Sequence, residues 1–324
     1  MPEGHSVHRI ARQFSTHFVG KRVAVSSPQG RFASDAARLD GHEIVDSIAV
    51  GKQLFLEFDH DLWLRVHLGI YGAWDFAADS AAELELPRPI ARGAAAASRR
   101  DIVDAAGEDS AASIGAPRTA RLRMAEQENL TPDDAAFPPD PVGAVRVRLL
   151  ADDIVADLRG PTACEVQEPD QVRAQIAKLG PDPLVEPGKK GENRFTEAVL
   201  KKGTPIGLLL MDQSVVSGIG NVYRAEMLFR ARLDPHRRGK DLDEAVVRAL
   251  WRDWTKLLKS GVEVGQMMTM DGLSKKQYAA ALRSRADRHW VYHREGLPCR
   301  VCGTPIRMEM AAGRKLYWCP TDQV

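Results

Sequence analysis

Apolar residues recur along the first eighteen positions at helical spacing. Val7, Ile10, Phe14 and Phe18 share one face and predict a helix over Glu3–Phe18. The pattern then shortens to the two-residue period of strands, in runs at Lys21–Ser26, His42–Ala49, Lys52–Asp59 and Asp61–Leu68. Leu54-Phe55-Leu56-Glu57-Phe58 and Leu62-Trp63-Leu64-Arg65-Val66 flank Asp59-His60, which reads as a hairpin turn. Tyr71–Phe76 continues the strand pattern, and Ala144–Leu150 and Asp153–Leu158 resume it later. These strands predict a β-sandwich domain. Glu168–Asp182 opens as a helix and runs into the linker Leu179-Gly180-Pro181-Asp182-Pro183. Helices are then predicted at Asn193–Lys201, Pro205–Met211, Asn221–Ala231, Asp243–Ser260 and Ser274–Arg285. Thr204-Pro205 supplies an N-cap followed by proline at the first helical position. Near the end, Pro305–Glu309 and Lys315–Trp318 read as the two strands of a hairpin. The expected class is α+β: an N-terminal β-sandwich with flanking helices, then a helical domain and a closing hairpin.

Residues 77–141 interrupt this pattern with Ala94-Ala95-Ala96-Ala97 and Phe137-Pro138-Pro139-Asp140-Pro141. They hold 7 basic and 12 acidic residues, and we expect a long, poorly ordered surface insertion. The chain of 324 residues with 44% hydrophobic content suffices for two cores. Its net charge of +1 hides a segregation. Residues 184–324 carry 25 Lys+Arg against 16 Asp+Glu, whereas residues 1–183 carry 20 against 28. A basic half suggests a polyanionic partner, the plainer account being a solvated basic face. No long apolar run occurs at the N-terminus or elsewhere, so no membrane segment is expected and the protein is read as cytosolic.

Three places carry candidate chemistry. The chain starts Met1-Pro2-Glu3-Gly4, and removal of Met1 would expose a secondary amine on Pro2. An α-amino group loses its proton near neutral pH, which makes it a nucleophile toward a sugar carbon, and Glu3 stands beside it to move protons. Alone, the segment reads rather as an ordinary loose terminus. Second, Gly218 and Gly220 bracket a tight turn before the helix at Asn221, whose first amides would suit a phosphate; a helical hairpin with no ligand is the alternative. Third, Cys299 and Cys302 are a tight pair, followed after sixteen residues by Cys319 and then by Asp322, two pairs at the open end of a hairpin. That is the layout of a zinc ribbon, with Asp322 or His293 as fourth ligand and a metal-free hairpin as the alternative. Cys164 stands apart, and this cysteine usage suits a metal site better than disulfides.

With these residues in hand, the chain resembles the formamidopyrimidine-DNA glycosylase / endonuclease VIII family, nearest to the actinobacterial endonuclease VIII type that begins Met-Pro-Glu-Gly-His. The resemblance rests on the Pro-Glu-Gly start, on Gly218-Ile219-Gly220-Asn221, and on Pro298-Cys299-Arg300-Val301-Cys302-Gly303-Thr304-Pro305-Ile306 in the closing finger. It covers the chain apart from 77–141. It implies a catalytic β-sandwich domain over 1–167, a helix–two-turn–helix domain over 168–288 and a zinc-finger hairpin over 289–324, with damaged DNA in the cleft between the first two. It also implies a bifunctional glycosylase and abasic-site lyase of base excision repair, acting as a monomer with one structural zinc. Pro2 then matches the family's nucleophile, Glu3 its neighbouring carboxylate, and Lys52 its hairpin lysine that contacts phosphate. Asn221 matches the phosphate-binding asparagine and Arg314 the finger arginine. Ile70 and Tyr71 fall where residues fill the gap left by an everted base, or else they belong to the β core.

The chain departs from the family in three ways. The fourth finger ligand, expected to be cysteine, is Asp322. The family's Arg-Arg-Phe-Gly loop is absent; Asp157-Leu158-Arg159-Gly160-Pro161-Thr162 stands there, with Arg159 as its partial substitute. The 77–141 segment is extra. The rival reading is a damaged-DNA-binding homologue that no longer cuts. A zinc-ribbon transcription factor leaves the N-terminus unexplained. By its resemblance to endonuclease VIII, Tyr71-Gly72-Ala73-Trp74 implies oxidised pyrimidines rather than 8-oxoguanine as substrate. The Phe/Trp/Tyr content of 6% gives no reason to expect an aromatic base-stacking platform.

Overall fold

The leading amphipathic stretch folds as helix α1 (Gly4–His17), with Val7, Ile10, Ala11 and Phe14 buried. Phe14 meets Phe18 and Trp74 with ring centroids 4.9 Å apart in each case, which fixes the helix on the sheets behind it. This is a computed structural model of the chain; it describes residues 2–79, 112–116 and 137–324. The chain divides into two units, Met1–Ile176 and Ala177–Val324.

Among the described residues, the first unit holds two five-stranded sheets. One runs β1 (Lys21–Arg22), β3 (Glu43–Val50), β4 (Gln53–Phe58), β5 (Trp63–His67), β10 (Ala163–Gln167). The other runs β2 (Ala24–Ser26), β8 (Val145–Leu150), β9 (Ile154–Arg159), β6 (Ala73–Ala78), β7 (Ser113–Gly115). The strand pairs are antiparallel. Leu54, Leu56 and Leu64 from one sheet and Trp74, Val147 and Leu158 from the other belong to a single core with α1, which makes the unit a sandwich. Each such side chain contributes about 1.5–3 kcal/mol on burial.

The strand expected over Lys21–Ser26 is two strands: the chain leaves the first sheet at buried Val23 and enters the second. Helix α2 (Ala33–Leu39) and edge strand β10 were not expected. The expected insertion also needs correcting where it is described. Ala77 and Ala78 end β6, and Ser113–Gly115 pairs with Ala73–Asp75. Gly115, at φ 137°, lies so close to β6 that a Cβ would stand 2.5 Å from the Gly72 carbonyl oxygen. The rest of that expectation, over 80–111 and 117–136, lies outside the described residues.

Helix α3 (Pro169–Ala177) spans the division between units. The second unit contains α4 (Lys189–Leu200), α5 (Ile206–Leu209), α6 (Asn221–Arg230), α7 (Glu244–Val264), α8 (Lys275–Arg283) and the hairpin β11 (Arg307–Ala311)–β12 (Arg314–Trp318). Helix α7 ends on Gly265 in the left-handed conformation, and α8 starts with a Ser274–Gln277 capping box. Phe195, Val222, Leu250 and Trp254 share their core with Tyr292, Ile306 and Tyr317, so the closing hairpin and the helices are one packed body.

Candidate active site and metal centre

Pro2 and Glu3 are buried at the head of α1. Glu3 is the N-cap residue in extended conformation, and its carbonyl accepts the Ser6 N–H at 3.1 Å. Lys52 sits in the two-residue β3–β4 turn, where Gly51 has φ 59°, the conformation such a hairpin needs from its first residue. The next residue, Gln53, pairs with His67 on β5. Burial, with the Lys52 and Arg65 charges adding to it, pushes His67 down to about 4, so its imidazole is neutral at physiological pH. Sequence reading passed over His67, because it sits in a run of ordinary strand pattern and only the fold sets it beside Lys52.

Ile70 and Tyr71 cap the β5–β6 loop, each 48% exposed, so neither belongs to the β core. Trp74 does: it is fully buried and faces Phe14. The loop rests on its glycines. A Cβ at Gly69 would stand 1.8 Å from Thr162 Oγ1, and one at Gly160 would stand 3.1 Å from the Tyr71 carbonyl oxygen. Arg159 therefore ends β9 beneath this loop, and its guanidinium is taken up by the Asp75 carboxylate and by the Val142 carbonyl at 2.8 Å. Asp157, which opens the stretch standing in place of the family's loop, is a strand residue paired to Arg148 through two bonds of 2.8 and 3.0 Å. Only Gly160–Thr162 separate β9 from β10.

In the second unit Asn221 opens α6, and its side-chain amide donates to the Lys315 carbonyl of the hairpin at 2.8 Å. That amide has two N–H donors, so one stays for another acceptor. Fully buried Arg224 donates to the same carbonyl at 3.0 Å and to Asn221 Oδ1. The Ala312-Gly313 turn, with φ 48° and 75°, exposes Arg314 at the start of β12. One turn further along α6, buried Glu226 takes the backbone N–H groups of Trp290, Val291 and Tyr292 at 2.7, 2.9 and 2.9 Å and the Thr269 hydroxyl at 2.6 Å. The sequence offered no sign of this clamp.

Cys299, Cys302, Cys319 and Asp322 present donor atoms that all lie within 4.8 Å of one another. Asp322 Oδ2 is 3.0 Å from Cys299 Sγ and 3.4 Å from Cys319 Sγ, while Oδ1 accepts from Arg232 at 3.0 Å. Amide N–H groups of Val301 and Asp322 point at the Cys299 and Cys319 sulfurs, each at 3.4 Å. Burial pushes the Cys299 thiol up to about 12. Hydrogen bonds from Cys302 and Cys299, with Arg232 adding its charge, hold Asp322 below the usual carboxylate range. A buried thiol ringed by two sulfurs and a carboxylate ionises only beside a cation, and this donor set fits one tetrahedral zinc. His293 is outside the group: its ring stacks on Tyr292 at 4.3 Å. Asp322 completes the set.

Three family models match: the formamidopyrimidine-DNA glycosylase N-terminal domain over residues 1–112, its H2TH domain over 179–272, and the zinc finger found in FPG and IleRS over 296–324. Endonuclease 8 1 of Mycobacterium tuberculosis is 35% identical over 323 residues, covering 100% of both chains. The chain belongs to the formamidopyrimidine-DNA glycosylase / endonuclease 8 family. The formamidopyrimidine-DNA glycosylase of Thermus thermophilus is 39% identical over 152 residues, 46% of this chain and 54% of that one. The fold agrees with the MutM (FPG) protein of Thermus thermophilus, at TM-score 0.65 and 23% identity over 99% of this chain and 98% of that one. It agrees equally with Lactococcus lactis Fpg in complex with DNA containing an abasic site, at TM-score 0.68 and 19% identity over 99% of each chain. Family membership thus accounts for the sandwich, the helical unit and the finger, and this member fills the fourth finger position with aspartate.

Proposed function

We propose that this chain is a bifunctional DNA glycosylase and abasic-site lyase that removes oxidised pyrimidines in base excision repair and acts as a cytosolic monomer. The observation that carries the reading is Pro2-Glu3 at the head of α1, in a chain that matches the family's N-terminal model from its first residue. The full-length likeness to Endonuclease 8 1, against a half-length one to formamidopyrimidine-DNA glycosylase, supports pyrimidines over purines.

A damaged base is drawn from the stack, which costs a few kcal/mol and costs least where pairing is already weak. Ile70 and Tyr71, apolar and exposed, fill the vacated space. Lys52, Asn221 and Arg314 hold phosphates. The Pro2 nitrogen, freed by loss of Met1 and unprotonated, forms a bond to the sugar C1′ as the bond to the base breaks; the base leaves with the electron pair and takes a proton. Ring opening gives an iminium. The iminium acidifies the C2′–H, and loss of that proton expels the 3′ phosphate. A second proton loss, from C4′, expels the 5′ phosphate, and water then hydrolyses the iminium to free Pro2. Glu3 carries protons in these steps. Zinc bound by Cys299, Cys302, Cys319 and Asp322 would have four protein ligands and no open position, so it serves the finger's shape alone. Arg159, tied to Asp75, is left out of the DNA contacts.

Borohydride reduction on DNA with an abasic site tests this reading. A covalent protein–DNA adduct is expected with processed protein and none when Met1 is retained. An adduct of undiminished yield with Met1 in place removes Pro2 from the role, and DNA binding without any adduct would favour a homologue that recognises damage and does not cut.

A further inference from the structure

We propose that His236 is a positioning residue for the DNA grip: clasped as a cation between Asp234 and Glu309, it fixes the finger hairpin on the helical unit, and the clasp opens when the imidazole loses its proton. The proposal rests on the reading of Arg314 as a phosphate contact. His236 lies in the loop that follows α6. Its Nδ1 is 2.7 Å from Asp234 Oδ1, and its Nε2 is 2.6 Å from Glu309 Oε1. A neutral imidazole has one N–H and one lone pair, so it can serve only one of these carboxylates. The other would face the lone pair at hydrogen-bond distance, which is repulsive. Protonation supplies the second N–H and makes both contacts charge-assisted hydrogen bonds. The proton belongs on the ring, since an imidazole holds one about two pH units above a carboxylate.

The two carboxylates belong to different elements. Asp234 is on the loop itself, and its Oδ1 also accepts the His236 backbone N–H at 2.9 Å. That loop is tied to α5, where the Ile206 and Gly207 amides donate to the Arg237 and Pro235 carbonyls at 2.8 and 2.9 Å. Glu309 is on β11, opposite Leu316 and two rungs from the Ala311–Arg314 pair, about 7 Å along the strand. The ring also meets Trp318 of β12 edge to face, with centroids 5.2 Å apart. Asn221 and Arg224 hold the hairpin near its tip through the Lys315 carbonyl, and His236 holds it at mid-length. Without the second hold, the strand pair that carries Arg314 gains freedom to turn about the first. The other charges around the ring are Arg237 and Arg238 on its own loop and Arg307, which shares the Glu309 face of β11; α5 contributes none. Burial alone would lower the proton affinity of His236, but the hydrogen bonds and charges of Glu309 and Asp234 outweigh it and hold the ring above its usual 6.5. The clasp is therefore fully present below pH 6.5 and is lost as pH rises through the folded value.

The test compares the full, zinc-loaded chain with its His236→Gln variant from about pH 6 to about pH 9. Nitrogen-15 spectra should show both His236 ring nitrogens protonated at the acid end. There the wild type should unfold at higher urea than the variant. It should also bind a duplex with a tetrahydrofuran abasic analogue about two- to tenfold more tightly, the range that two half-exposed ion pairs support. Both gaps should close toward the alkaline end, and added salt should narrow them. A single protonated ring nitrogen at the acid end overturns the proposal. So does a stability gap that is the same at every pH, since His236 would then act through its packing on Trp318. A stability gap that closes with pH beside DNA affinities that never differ overturns the positioning role. Failure of the wild type to bind any DNA removes the glycosylase reading and the positioning role with it, while the spectra and the urea midpoints still decide the clasp.

Discussion

Glu226 offers the sharpest test of how the second unit is held together. Its carboxylate is fully buried, and each oxygen accepts two hydrogen bonds: Oε1 from Val291 and Tyr292, Oε2 from Thr269 and Trp290. Glu226→Gln keeps the shape and replaces one oxygen by a donor. With the amide nitrogen on the Oε2 side, the Thr269 hydroxyl can turn its proton to the Arg288 carbonyl at 2.9 Å and accept from the amide, but the Trp290 N–H and one amide N–H face each other with no acceptor. At about 1–3 kcal/mol for each buried group left unsatisfied, the loss is roughly 2–6 kcal/mol. For a body of this size that lowers the melting temperature by about 2–4 °C per kcal/mol. Urea unfolding of zinc-saturated protein, followed by tryptophan fluorescence, reads the effect, since Trp251, Trp254, Trp290 and Trp318 lie in this unit. Thr269→Val, which removes one donor, should cost less than Glu226→Gln. A Glu226→Gln midpoint that places the variant within about 1 kcal/mol of wild type would refute the reasoning, because the four bonds would then not be what orders the segment before the finger.

Further outcomes follow from the site. Asp322→Ala should release zinc and His293→Ala should leave zinc content unchanged, as read by metal analysis. Arg232→Ala, which frees Asp322 Oδ1, should weaken zinc about 10–100-fold in a chelator competition, as loss of such orienting partners does elsewhere. Lys52→Ala, Asn221→Ala and Arg314→Ala should each weaken binding to duplex DNA across sequences and lower the slope of log K against log salt by about one. His67 sets a pH dependence: its folded value of about 4 lies below the 6.5 of the unfolded chain, so the unfolded chain takes the proton first. The stability is fully present above pH 6.5 and is lost as pH falls toward 4, by at most about 1.4 kcal/mol per pH unit. Urea midpoints across that range should fall less steeply for His67→Gln than for wild type.

The fold was legible wherever one short run carried its own period. Val7, Ile10, Phe14 and Phe18 announced α1, and alternation announced β3 to β5. The elements missed lack such a period. Helix α2 buries only Ala36 and Leu39. Strand β10 has no fully buried residue, being an edge. The crossing at Val23 leaves no mark, because both sheets want the same alternation there. The same distinction holds for the site. Cysteine spacing is local and announced the finger. Glu226 and its amides lie 64 to 66 residues apart along the chain, and Asp322 and Arg232 lie 90 apart. Only tertiary structure joins them. The pairing of Arg159 with Asp75, 84 residues away, was equally invisible in the sequence.

The core that the finger shares with the helices bears on the protein's fate when metal is scarce. Tyr292 and Tyr317 meet edge to face at 5.3 Å within the cluster that contains Trp254 and Val222, and Asn221 and Arg224 are bonded to the Lys315 carbonyl. An independently folded finger could lose its zinc and leave the helices intact. Here the loosening would reach the start of α6 and the interior of the helical unit, and chain that opens this far is a substrate for proteases. Zinc starvation would then be felt as a shorter lifetime of the whole polypeptide, ahead of any change in how the surviving molecules grip DNA. For the same reason the finger cannot be exchanged between relatives as a cassette: a graft ending at 289 would have to bring the inner faces of α6 and α7 with it.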